Sequence, residues 1–162
     1  MTSSRRRLPH PVLLGPSAAL VLLAAVGCTS TDPAASVSVP TPSSEAAAYC
    51  RALHKELPSS VAGLERSDPA PRSDLTAGWG DGAIVLRCGV ARPAKMDDAQ
   101  AKAAEADGVN WLLEQREDDG PRFTTTLRKA YVEVSLSAAY AHDATPLAAF
   151  AAPVKKTVPS GL

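Results

Sequence analysis

Apolar positions along the chain follow two periods. Ala46, Tyr49, Cys50, Leu53 and Leu57 fall on one helical face, with Ser43 or Ser44 as cap, Glu45 in the first turn and Pro58 as terminator. Arg51, Lys55 and Glu56 point the other way. From Ala83 to Val90 the period drops to two: Ile84, Leu86, Cys88 and Val90 share one face, Val85 and Arg87 the other. Val109–Leu113 predicts a second strand and Arg122–Leu127 a third, with Asp119-Gly120 as the hairpin signal between them. Tyr131–Leu136 makes a fourth, setting Tyr131, Glu133 and Ser135 opposite Val132, Val134 and Leu136. The Ala-rich stretch Met96–Ala106 predicts a short helix that stops at Asp107-Gly108. Arg66–Thr76, with its prolines and charges, reads as a loop. Thr145-Pro146 opens a last helix with Leu147, Phe150, Ala151 and Val154 on its face, and Pro153 is expected to kink or end it. The sum is an α+β fold of two layers: a mainly antiparallel four-stranded sheet with helices on one face.

Two segments precede this domain. Arg5-Arg6-Arg7, the apolar run Leu13–Val26, then Gly27 and Cys28 resemble a bacterial lipoprotein signal, with Ala25 where leucine is usual. The run is too short for a membrane span of about 20 residues. Residues 1–27 are therefore expected to be removed and Cys28 to carry lipid on the extracytoplasmic face of the membrane; simple secretion is the alternative. Ser4–Leu8 also resembles a twin-arginine signal. Residues 28–44, rich in Ser, Thr and Pro, read as a tether of a composition that could carry O-linked sugar. The folded domain is expected over 45–157 and a frayed tail over 158–162.

Composition changes the picture in two ways. The 17 basic and 17 acidic residues balance, and removing the signal takes away three arginines and no acid. The slightly acidic remainder gives no case from net charge for nucleic acid or anionic lipid as a partner. With two Phe, two Trp and three Tyr the core must be mainly aliphatic, so a covalent staple would help. Assigning Cys28 to lipid leaves Cys50 and Cys88, an even pair in an oxidising compartment. Both fall on faces expected to be buried, which predicts a disulfide; two buried free thiols are the alternative.

Trp79-Gly80-Asp81, Ile84–Val90, Gly108–Trp111, Phe123-Thr124-Thr125 with Arg128, and Tyr131–Val134 together resemble an uncharacterised family. It is a domain of unknown function in short secreted or membrane-anchored actinobacterial proteins. The likeness covers roughly Ala46 to Ala152, and Gly82-Ala83 stand where the family usually has proline. It implies an envelope address and supplies no activity.

Candidate chemistry is sparse. Gly78–Gly82 leads into a strand, where a phosphate-binding loop should lead into a helix. His54 and His142 lack paired-ligand spacing, and Glu117–Gly120 lacks the alternating oxygens of a calcium loop, so no metal or cofactor is expected. Catalytic signatures such as Gly-x-Ser-x-Gly are absent. The remaining set is Arg66, Arg87, Arg116, Arg122 and Arg128. With Trp79 or Trp111 these guanidinium groups could bind an anionic or sugar-containing envelope component. The plainer alternative is a charged outer sheet face paired to Glu114 and Glu133 across strands. The expectation is a lipid-anchored, non-catalytic domain that binds an envelope protein or wall component, with Trp79, Arg87, Trp111 and Arg128 as its binding residues, or that serves as a structural accessory subunit of a membrane complex. A small hydrolase acting on wall material is the alternative.

Overall fold

A computed structural model describes residues 35–116 and 119–161. Residues 1–27, read as a signal, and Cys28 lie outside them. The first helix, α1 (Ser44–Glu56), forms where its apolar face dictates. Ser43 caps it, its hydroxyl accepting from the Ala46 amide at 3.3 Å. Leu57, held extended ahead of Pro58, ends it.

A short hairpin follows, β1 (Ser60–Val61) with β2 (Leu64–Glu65). The main sheet comprises β3 (Thr76–Trp79), β4 (Ile84–Val90), β5 (Lys102–Ala106), β6 (Val109–Glu114), β7 (Arg122–Thr125) and β8 (Tyr131–Leu136). Its order is β3-β4-β8-β7-β6-β5, with every neighbouring pair antiparallel. The four-stranded expectation is thus corrected to six, and both additions are edges.

β5 replaces the helix expected over Met96–Ala106, of which only a 3-10 turn at Ala94–Asp97 forms. Alanine favours helix, but Asp107 (φ 46°) and Gly108 (φ 80°) form a left-handed two-residue hairpin turn. That turn closes Ala106 onto Val109 and draws the preceding residues along β6. β3 escaped notice because all four of its residues are buried, leaving no alternation to read.

One face of the sheet packs on the helices. Ile84, Leu86, Cys88, Trp111, Phe123, Val132, Val134 and Leu136 meet Cys50 and Leu53 of α1 and Phe150, Ala151 and Val154 of α2 (Ala148–Thr157). α2 runs through Pro153 instead of ending there, because burial of Phe150, Ala151 and Val154 on either side outweighs one lost backbone hydrogen bond. The Cys50–Cys88 disulfide, with 5.4 Å between Cα atoms, ties α1 to β4. It closes a separation of 38 residues.

The opposite face is not open. The link from β4 to β5 must travel from the second strand to the far edge, and it crosses this face. Ala91–Lys95 wall a hollow whose floor is Arg87, Glu114, Arg122 and Glu133. Leu112 (3% exposed), Thr124 (0%) and Glu133 (7%) point away from the helices yet are buried. Two outer segments add to this cover. Ala35 and Val37 exchange backbone hydrogen bonds with Ala70, and Pro40 is buried. At the other terminus Pro159 accepts from the Lys129 amide at 2.9 Å, and the Gly161 amide donates to Leu127 at 2.9 Å.

Candidate functional site

The structure separates the residues that the sequence grouped. Trp79 and Trp111 are fully buried on the helix-covered face and present nothing to a ligand. Trp79 donates to the Pro58 carbonyl at 3.1 Å, and its ring centroid lies 5.2 Å from that of Phe150. Trp111 packs in the core beside Thr125, its ring N–H without a partner among the described residues.

Most of the arginines are satisfied internally. Arg87 donates to Glu133 at 3.1 Å and to the Ser38 carbonyl at 3.0 Å. Arg122 grips Glu114 through two hydrogen bonds, at 3.1 and 3.3 Å, and stands 4.0 Å from Glu133. Across β4, β8, β7 and β6 this makes one chain of alternating charge, the paired outer face that strand alternation allowed. Arg66 donates to Asp68 at 2.8 Å and to His54 Nε2 at 2.9 Å, with its guanidinium 5.9 Å above the Trp79 ring. Arg116 is taken up by Gly120 and Asp119.

Arg128 belongs elsewhere. It lies in the β7–β8 turn and opens onto a groove of about 620 Å³. One wall is that turn, from Thr126 to Tyr131; the other comprises Arg92 and Met96 of the crossover with Ala101–Ala103 at the start of β5, and Leu112 also lines it. Arg92, Lys102, Arg128 and Lys129 supply four cations, and none of the described residues lining the groove has a carboxylate side chain. The chain's balanced net charge conceals this segregation.

The four cations are not equally free. Arg92 makes two hydrogen bonds to Asp97, at 2.9 and 2.8 Å, which raise the guanidinium pKa and hold the Asp97 carboxyl below its usual range. Arg128 spends one donor on the Val158 carbonyl at 3.1 Å. The side chains of Lys102 and Lys129 have no ionic partner among the described residues.

Leu127 is the residue that sequence reading missed. It is 62% exposed, the large apolar side chain left in solvent among the described residues, and it lines the groove. Its φ of 55° is left-handed, a conformation costly for leucine. The backbone is held there by Gly161 donating to Leu127 and by Lys129 donating to Pro159. A second hollow of about 490 Å³ adjoins the groove through Arg92, Lys129 and Tyr131, and is walled by Ser38–Ser43.

The arrangement suits binding. Thr126 and Tyr131 carry the hydroxyls of the groove, and that of Thr126 donates to the Asn110 carbonyl. Among the described residues no group of three or more His, Cys, Asp or Glu is placed to hold a metal ion. No described helix is long and apolar enough to cross a membrane.

Fold and site together define a small disulfide-bonded α+β domain with one cationic groove at the edge of a six-stranded sheet. The chain belongs to the family described as Protein of unknown function (DUF3515), whose model matches residues 11–161. Searches of curated proteins and of solved structures found no match for it.

Proposed function

We propose that this chain is a lipid-anchored envelope protein whose domain binds a ligand without transforming it, and that the groove beside Leu127 is its binding site. The observation that carries the binding role is the groove itself: cations and apolar side chains converge there in one concavity. Support for the anchor is the order of basic residues, short apolar run, Gly27 and Cys28. Acyl chains on that cysteine add about 0.8 kcal/mol of membrane affinity per buried methylene. Residues 28–34 reach at most about 24 Å from anchor to domain, so the domain is held close to the membrane.

Two measurements test this reading. In fractionated cells the wild-type chain should sediment with membranes and Cys28→Ser should not; equal partitioning of the two removes the anchor. A photoreactive side chain at position 127 should form an adduct in the intact envelope, while the same group at the exposed Ala152 of α2 should not. Equal labelling at both positions, or labelling only at 152, removes the groove as the binding site.

A further inference from the structure

Beyond a bare capacity to bind, the groove has a defined chemistry, and we infer that its ligand is an anionic amphiphile: a phosphate or carboxylate head joined to an apolar chain. The inference rests on the groove being the binding site. Two independent observations carry it.

The first is the pairing of surfaces within one concavity. Lys102 and Lys129 bring ammonium groups with no ionic partner among the described residues and Arg128 a guanidinium with donors to spare, while Met96, Leu127 and Tyr131 bring apolar surface. A small soluble anion would use the charges and leave the apolar surface wet. A neutral apolar molecule would leave the charges without a partner. A ligand with both parts satisfies both, and about 620 Å³ is within the range of sites that enclose a small molecule.

The second is Leu127. A leucine in the left-handed region gains little from folding when it is 62% exposed, and a glycine or asparagine there would be easier on the backbone. The hydrogen bonds from Gly161 and Lys129 nevertheless hold this turn in place. Strain retained at an exposed apolar residue that lines a groove is explained by a ligand that covers it.

The test uses the full chain in phosphatidylcholine nanodiscs, with empty discs as the blank, and calorimetric titration. Four soluble probes are compared: dihexanoyl phosphatidylglycerol, decanoate, dihexanoyl phosphatidylcholine and glycerol phosphate. Saturable binding of the phosphatidylglycerol or of decanoate, at least about tenfold tighter than the zwitterionic lipid and the chainless phosphate, is expected; whichever of the two binds more tightly identifies the head group. Leu127→Asn, which tolerates the left-handed backbone, should weaken the favoured probe about tenfold without lowering the melting temperature, as loss of one buried leucine implies. Lys129→Gln should weaken it too, while Arg72→Gln, a cation outside the groove, should not.

Equal affinity for phosphatidylcholine would overturn the anionic part, and equal affinity for glycerol phosphate the apolar part. Binding of the whole chain to phosphatidylglycerol vesicles without binding of the monomeric lipid would make the patch a membrane-contacting surface and overturn the ligand. Failure of every probe while the position-127 adduct forms in the envelope would overturn this ligand class and leave the binding-site reading intact. Failure of both would remove the two together.

Discussion

Arg87 and Leu127 sit on opposite sides of the line between a structural residue and a functional one. Arg87 faces Glu133, whose side chain is 10% exposed and whose other cation, Arg122, is 4.0 Å away. Removing Arg87 strands a nearly buried carboxylate, so Arg87→Ala should cost about 1–3 kcal/mol in urea unfolding. Replacing both partners by Met and Gln should cost far less, and equal losses from the single and double variants would contradict the pairing. Leu127→Gly should act in the opposite direction. Relief of the left-handed backbone should raise stability by up to about 1 kcal/mol, and a clear loss would mean that the side chain packs in the free protein. Cross-strand ion pairs were legible in the sequence, because alternation sets Arg87 and Glu133 on one face. Leu127 was not: at the end of Arg122–Leu127 it reads as the last residue of a strand, and only the fold turns it outward.

At the scale of elements, the helices and β4, β6 and β8 follow from the pattern of apolar positions, and β7 from the Asp119-Gly120 turn signal. The edge strands do not follow from that pattern. β3 is buried throughout and β5 is largely exposed, so neither carries a period, and the alanines of β5 favour helix until the hairpin turn at Asp107-Gly108 overrides them. The disulfide was legible because two periodic faces each contained a cysteine. Cys88→Ala should destabilise the domain by about 4 kcal/mol on the chain-entropy account, read from the urea midpoint against wild type. An unchanged midpoint would show that α1 is held to β4 by packing alone. The crossover offers a pH test. The Arg92 guanidinium holds Asp97 below the usual carboxylate range, so this carboxyl contributes stability above its unfolded pKa of about 4. That contribution is lost as pH falls through the lower folded value. Wild type and Asp97→Asn should therefore differ in melting temperature at pH 7 and converge below about pH 4; a gap that persists in acid would contradict the assignment.

For the molecule as a whole, the sheet face bearing Arg87 is covered by a crossover whose path a sequence does not show. Placing β5 at the far edge sends residues 91–101 over that face and leaves a groove at its rim. Balanced net charge pointed away from anionic partners, yet charge is distributed by fold and not by composition, and four cations gather where no described lining residue has a carboxylate side chain. The central claim is that this groove is the working surface. Hydrogen exchange of the full chain, with and without dihexanoyl phosphatidylglycerol, tests it most directly. Protection should rise over residues 126–131 and 92–103 and stay unchanged over α1 and α2. Protection appearing on the helices instead would contradict that claim, and protection nowhere would contradict the lipid as its ligand.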